Sequence, residues 1–259
     1  MYTGLYTAVS GGIAHEKRLA ALTNNLANAT TVGFKADHTI FHGVLQPLVI
    51  GPVQLSDTVG PVVSSIDPLR LQHAEYQPQL TTHTDFSQGS LRQTGNPLDL
   101  ALEGRGLFVV DSPGGDLYTR QGSFSLNADG MLVTENGLLV QGEQGPITVR
   151  GGRFEVDASG RVVVDERVVD RLKIVDVPPA GTLEKVGDTL FRLVNPNTPL
   201  QEAAGVVVQQ GSVELSNSQL VRLLGAVIHT SRAYEAYQRT IQMFDETAGR
   251  AVNDIARTR

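Results

Sequence analysis

Residues 216–257 read SNSQLVRLLGAVIHTSRAYEAYQRTIQMFDETAGRAVNDIAR, and the architecture follows from this stretch. Leu220, Val227, Tyr234, Ile241, Ala248 and Ile255 recur every seven residues. Leu223, Thr230, Tyr237, Phe244 and Ala251 follow the first five at a spacing of three. An apolar a/d seam held over about five heptads predicts one long helix with a wall to pack against. No proline interrupts it, and its two glycines, Gly225 and Gly249, sit near the ends. Ser216 with Gln219 has capping-box spacing and Leu215 with Leu220 occupies the staple positions, so the helix is expected from about 217 to 257. At 1.5 Å per residue it would run about 60 Å, too long for a lid on a small domain.

The other end of the chain carries a weaker, matching stripe. Leu5, Gly12, Leu19 and Leu26 are seven apart, with Ala8, His15, Leu22 and Ala29 three residues further on. The helix is expected to stop near Asn28, because Ala29-Thr30-Thr31-Val32-Gly33 is rich in β-branched residues and ends in glycine. Neither helix buries a long seam alone. The two ends are expected to pair with each other or with neighbouring chains, and assembly is favoured over a self-contained monomer.

Between the helices the pattern changes. Leu98, Leu100 and Leu102 alternate with Asp99, Ala101 and Glu103, and Leu107 to Val110 forms a short apolar run, both strand signals. Turns are expected at Pro113-Gly114-Gly115, Asn127-Ala128-Asp129-Gly130 and Glu135-Asn136-Gly137. Residues 124–140 loosely match 154–170 at an offset of 30, which predicts two copies of a glycine-tipped hairpin. Residues 36–97 show no sustained period and are expected to be extended connecting chain. The fold class is therefore α+β. It comprises an N-terminal axial helix (1–35), a connecting segment (36–97), a mainly antiparallel β domain (98–215) and a C-terminal axial helix (216–259).

Composition narrows the function. The 259 residues carry a net charge of −6. Residues 1–35 and 216–259 are each +2, so the middle is strongly acidic. That balance argues against a nucleic-acid partner. With no cysteine in the chain, thiolate metal sites, disulfides and cysteine nucleophiles are excluded. No stretch reads as a membrane span. Lys17 and Arg18 lie behind the first apolar residues instead of before them, unlike a cleavable signal peptide.

Candidate chemistry is sparse. His38 and His42 have the i,i+4 spacing of a helical metal pair, but their segment does not read as helix. His73 and His83 sit in irregular sequence. Asp99 and Glu103 share a strand face about 13 Å apart, beyond the 5–9.5 Å of glycosidase pairs, and are expected on the solvent side. Asp165 and Glu166 would point to opposite faces of a strand. Gly104-Arg105-Gly106 and Gly151-Gly152 lack the remainder of a phosphate-binding loop. No enzyme, metal, cofactor or small-molecule substrate is expected.

Ser10-Gly11-Gly12 followed by Asn24-Asn25-Leu26-Ala27-Asn28-Ala29-Thr30-Thr31-Val32-Gly33-Phe34-Lys35 resembles the N-terminal signature of bacterial flagellar rod and hook proteins. Leu98 to Phe108, continued by Tyr118 to Phe124, is similar to the entry into that family's β domain. Val213-Glu214-Leu215-Ser216-Asn217 with Arg232-Ala233-Tyr234-Glu235-Ala236-Tyr237 is similar to its C-terminal signature. Chain length favours a rod subunit over a hook protein. Glu143 to Ile147 and Asp245 to Ala251 resemble proximal-rod, F-type members more than distal, G-type ones. The resemblance implies a structural subunit of the basal-body rod, exported by the flagellar type III apparatus without signal cleavage. Such a subunit assembles in the periplasm with its own copies and other rod subunits to transmit torque. The expected assembly interface comprises Leu5, Leu19, Leu22, Asn24, Asn25, Leu26 and Asn28 with Leu220, Leu223, Val227, Tyr234, Tyr237, Ile241 and Phe244. The three asparagine amides are candidates for bonding neighbouring subunits, with a C-cap as the other reading of Asn28. A distal-rod subunit, and a secreted β-rich enzyme or glycan-binding module with helical dimerisation ends, are the alternatives.

Overall fold

The structure, a computed structural model, describes residues 2–46, 75–177, 181–187 and 189–257. It is α+β, with a helix at each end and antiparallel β structure between them. Two compact units divide the chain. One is Met1–Ala20, Thr39–Thr82 and Val227–Arg259; the other is Ala21–His38 and His83–Ala226. Each helix therefore contributes to both units.

The first unit holds most of α1 (Tyr2–Ala27) and α2 (Leu220–Arg257). Their meeting is an interlock of large and small residues. A Cβ on Gly4 would lie 3.1 Å from Phe244 Cζ, and one on Gly11 only 2.6 Å from Tyr237 Cε1. Moving seven residues forward on α1 thus moves seven back on α2, so the helices run antiparallel. His15 adds a ring contact with Tyr237 at 5.3 Å. The expected seams are the covered faces. On α1 Ala8, Gly12, Leu19 and Leu22 are buried or half-buried; on α2 Leu223, Val227, Thr230, Tyr234, Tyr237, Ile241 and Phe244 are. The seam side chains of Ala251 and Ile255 lie outside the described residues.

The start of α2 differs from expectation. It begins at Leu220, about three residues late. Asn217 is diverted, accepting from Ala36 N–H and donating to Asp85 O and Ser87 O. Ser216 Oγ instead accepts a hydrogen bond from Ser218 N–H. Leu220, expected in a staple, is half exposed.

The second unit is built on β5 (Leu107–Asp111), which pairs with β6 (Leu117–Thr119), β9 (Leu139–Val140) and β13 (Ile174–Val175). Phe108 and Val110 enter one core with Leu100, Leu132 and Ile147. Leu107 and Val109 enter another with Tyr118, Val175 and Phe191. A strand buried on both faces has no polar alternation, which is why 107–110 reads as an unbroken apolar run. The sheet continues through β15 (Leu190–Leu193) and β14 (Leu183–Lys185) on one side, and β8 (Leu132–Thr134) and β7 (Phe124–Leu126) on the other. Two short pairs bring distant segments in: β4 (Leu100–Glu103) with β16 (Val207–Gln210), and β3 (Leu91–Gln93) with β17 (Ser212–Glu214).

The 30-residue repeat holds at the level of turn chemistry. Asn127 Oδ1 accepts from the N–H groups of Asp129 and Met131. Asp157 Oδ1 accepts from Ser159 and Arg161 in the hairpin of β10 (Phe154–Val156) and β11 (Arg161–Val164). Hydrogen bonds from the Ser159 hydroxyl and the Arg161 N–H groups hold the Asp157 carboxyl well below the usual carboxylate range. Its folded pKa lies under its unfolded one, so its stabilisation is present above about pH 4 and is lost as pH falls through the folded value. Asp157→Asn, which copies Asn127, is expected to cost under about 0.5 kcal/mol, and Asp157→Ala about 1 kcal/mol, by urea unfolding.

Two local expectations are corrected. Asp165 and Glu166 are not in a strand. They form the two-residue turn between β11 and β12 (Arg167–Arg171), both with positive φ (49° and 65°). This is the primed geometry that matches strand twist. Within 36–97, the described residues do more than connect: β1 (Asp37–Gln46) pairs with β2 (Glu75–Thr84). The rest of that segment, 47–74, including His73, lies outside the described residues, as does the His42 side chain.

Candidate functional site: chain-end anchor and outer helix faces

The N-terminal segment that follows α1 turns into the β unit through Gly33, Phe34 and Lys35, all buried. Lys35 Nζ donates to Ser87 O and to Glu214 Oε1, each at 2.7 Å. The same Oε1 accepts from Gly89 N–H at 2.7 Å, and Oε2 accepts from Arg120 Nε. Arg120 spends its other donors on the carbonyls of Leu102, Gly104 and Gly106. All three charged side chains are at most 3% exposed. Burial lowers the pKa of Lys35, against the opposing pull of the Glu214 carboxylate. Around this centre, Gly33 N–H donates to Glu214 O, and Lys185 bridges Lys35 O and the Asp37 carboxylate.

The asparagines expected to reach neighbours divide. Asn25 is buried, and its amide is used twice within the chain: Nδ2 donates to Asp37 O at 2.7 Å and Oδ1 accepts from Asp37 N–H at 2.9 Å. Asn28 follows the last residue of α1. Its N–H and its Nδ2 both donate to Asn24 O, and Thr31 Oγ1 donates to its Oδ1, so it caps the helix. Asn24 is exposed.

Other candidates resolve as structure. Asp99 is not on the solvent side; it is buried, accepting from Thr94 Oγ1 at 2.6 Å and Asn96 Nδ2 at 3.0 Å. Glu103 is exposed and accepts from Gln209. His38 lies on a strand 3.7 Å from Asp85, and His83 is exposed near the end of β2. Among the described residues no group of three or more metal-ligating side chains gathers, and no helix is long and apolar enough to cross a membrane.

Three family models match the chain: "Flagella basal body rod protein" at residues 5–35, "Flagellar hook protein FlgE/F/G D1 domain" at 101–164 and "Flagellar basal body rod FlgEFG protein C-terminal" at 209–254. The chain is 32% identical over 251 residues to the flagellar basal-body rod protein FlgF of Caulobacter vibrioides, covering 96% of this chain and 94% of that one. The chain belongs to the flagellar basal-body rod protein family. FlgF of Rhizobium meliloti is 31% identical over 263 residues, covering 100% of both chains, and FlgG of Buchnera aphidicola is 30% identical over 261, covering 95% of this chain and 97% of its own.

Each matched segment of this rod protein contributes one charge to the anchor. Lys35 closes the first, Arg120 lies in the second and Glu214 is near the start of the third. The sequence reading did not identify this centre. Its only local signals are a single charge between apolar neighbours, Val213-Glu214-Leu215, and a lysine directly after Phe34.

The reading also missed a second apolar set on the helices. On α1, Tyr6, Val9 and Ile13 are exposed by 62%, 37% and 49%, although they share a face distinct from the covered seam. On α2, Ile228 and Met243 are exposed in the first unit, and Val221 and Leu224 in the second, beside the expected seam residue Leu220. Of the residues expected at the assembly interface, Tyr237 and Phe244 meet α1 of their own chain. Leu5, Leu19, Leu22, Leu26, Leu223, Val227, Tyr234 and Ile241 are half-buried, while Leu220 is exposed.

Proposed function

We propose that this chain is a structural subunit of the flagellar rod, of the proximal F type, that assembles through the outer faces of its terminal helices. The observation that carries the reading is the second apolar stripe, left open on helices whose first stripe is already covered. Isolated exposed apolar residues are ordinary, but a helix with two apolar faces has one more than a single antiparallel partner covers. Tyr6, Val9, Ile13 and Ile228 are the interface residues of this reading, together with the exposed seam residue Leu220, exposed Asn24 and the half-buried seam edges.

The F-type position draws on Glu143-Gln144-Gly145-Pro146-Ile147 and Asp245 to Ala251, which resemble F-type sequences. The partners are other copies of the chain and other rod subunits, with the type III export apparatus delivering it, without cleavage, to the periplasmic basal body. The role needs no nucleic acid, cofactor or small-molecule substrate. Electron microscopy of basal bodies from a deletion strain tests the assignment. Loss of the rod from its proximal part onward is expected. A rod lacking only its distal portion would assign the G-type position instead, and intact basal bodies would overturn the reading.

A further inference from the structure

We propose that Glu214 is a latch that makes the docking of three remote segments one cooperative event. These are the N-terminal segment at Gly33–Lys35, the loop at Ser87–Gly89 and the end of β4 with the turn that follows it, Leu102–Gly106. One residue touches or controls all of them. Its carboxylate accepts from Lys35 and Gly89, its carbonyl accepts from Gly33, and its second oxygen orients Arg120, which grips the carbonyls of Leu102, Gly104 and Gly106. The node holds two cations against one carboxylate, all nearly inaccessible to water. That stoichiometry makes the partners unequal. Removing the Glu214 charge leaves two buried cations with no buried counter-charge, Lys35 keeping only the partly exposed Asp85 carboxylate nearby, whereas removing the Lys35 charge leaves a neutral Arg120–Glu214 pair. Because Glu214 ends β17, the strand that leads into α2, the N-terminal segment and the C-terminal strand dock together or release together. This goes beyond subunit assembly and is a property of the single chain.

The test is hydrogen–deuterium exchange on the purified full chain. Glu214→Gln is expected to speed exchange about tenfold or more at residues 33–37, 87–89 and 102–106 together, leaving the β5 amides slow. Lys35→Met is expected to change those segments less than about threefold, since the remaining pair is balanced. The double variant Lys35→Met/Glu214→Gln should be better protected than Glu214→Gln alone, and it keeps the test decisive where Glu214→Gln itself fails to fold. Loosening confined to one segment, Lys35→Met as harmful as Glu214→Gln, or a double variant no better than Glu214→Gln would each overturn the latch.

Discussion

Gly33→Ala is expected to lower the melting midpoint of the purified chain by about 8–16 °C, the equivalent of about 4 kcal/mol at this size. Gly33 has φ +70°, a region where a side chain costs on the order of 1 kcal/mol or more. Steric overlap costs more than the dihedral. An added Cβ would collide with Gln121 N and lie 2.5 Å from the Arg120 carbonyl carbon, both backbone atoms in a buried strand connection that cannot rotate away. Moving them displaces Arg120, and with it the anchor and the three carbonyls it holds. Gly114→Ala is the comparison, since Gly114 has open space at its Cβ position and no positive φ. That variant should stay within about 0.5 kcal/mol of the parent. A Gly33→Ala midpoint within about 2 °C of the parent would show that the turn has room the structure denies it.

Ile13→Glu is expected to abolish rod assembly while leaving the free chain intact. Ile13 is about half exposed, so in the isolated subunit a carboxylate there stays hydrated and the melting midpoint moves by less than about 2 °C. At the proposed interface the same charge would be buried without a partner, at a cost of several kcal/mol per contact, repeated along the polymer. The result is a chain that is made and folded but gives non-motile cells. Tyr237→Asp should behave differently. It places a charge against Gly11 and His15, so helix pairing fails in the purified chain and shows as lost helicity. Arg239→Ala removes only an exposed i,i+4 pair with Glu235 and should alter neither property. Assembly by Ile13→Glu at parental efficiency would remove the outer stripe from the interface.

What the sequence reveals and what it hides both follow from range. The α2 seam is legible because its signal repeats every seven residues, and the hairpins because Asn127, Gly130, Asp157 and Gly160 carry their turn chemistry locally. The Asp165-Glu166 turn is hidden because it contains neither glycine nor asparagine. The strand β1 is hidden because its partner β2 lies beyond a long intervening segment with no period of its own. The anchor is hidden for a stronger reason. Lysine, arginine and glutamate ordinarily mark the surface, and here their partners lie 179 and 94 residues apart in sequence. The outer stripe went unread because assigning α1 and α2 one a/d seam each leaves Tyr6, Val9, Ile13 and Ile228 as background.

Site-specific photo-crosslinking in intact basal bodies compares the two faces of the helices directly. One photoreactive residue replaces Ile13, on the outer stripe; another replaces Tyr237, which meets α1 of its own chain. The account predicts adducts between subunits from position 13, resolved as a ladder above the monomer, and only monomer-sized product from position 237. Ladders from position 237 with none from position 13 would contradict it, placing the covered seam between subunits and the exposed stripe outside the interface.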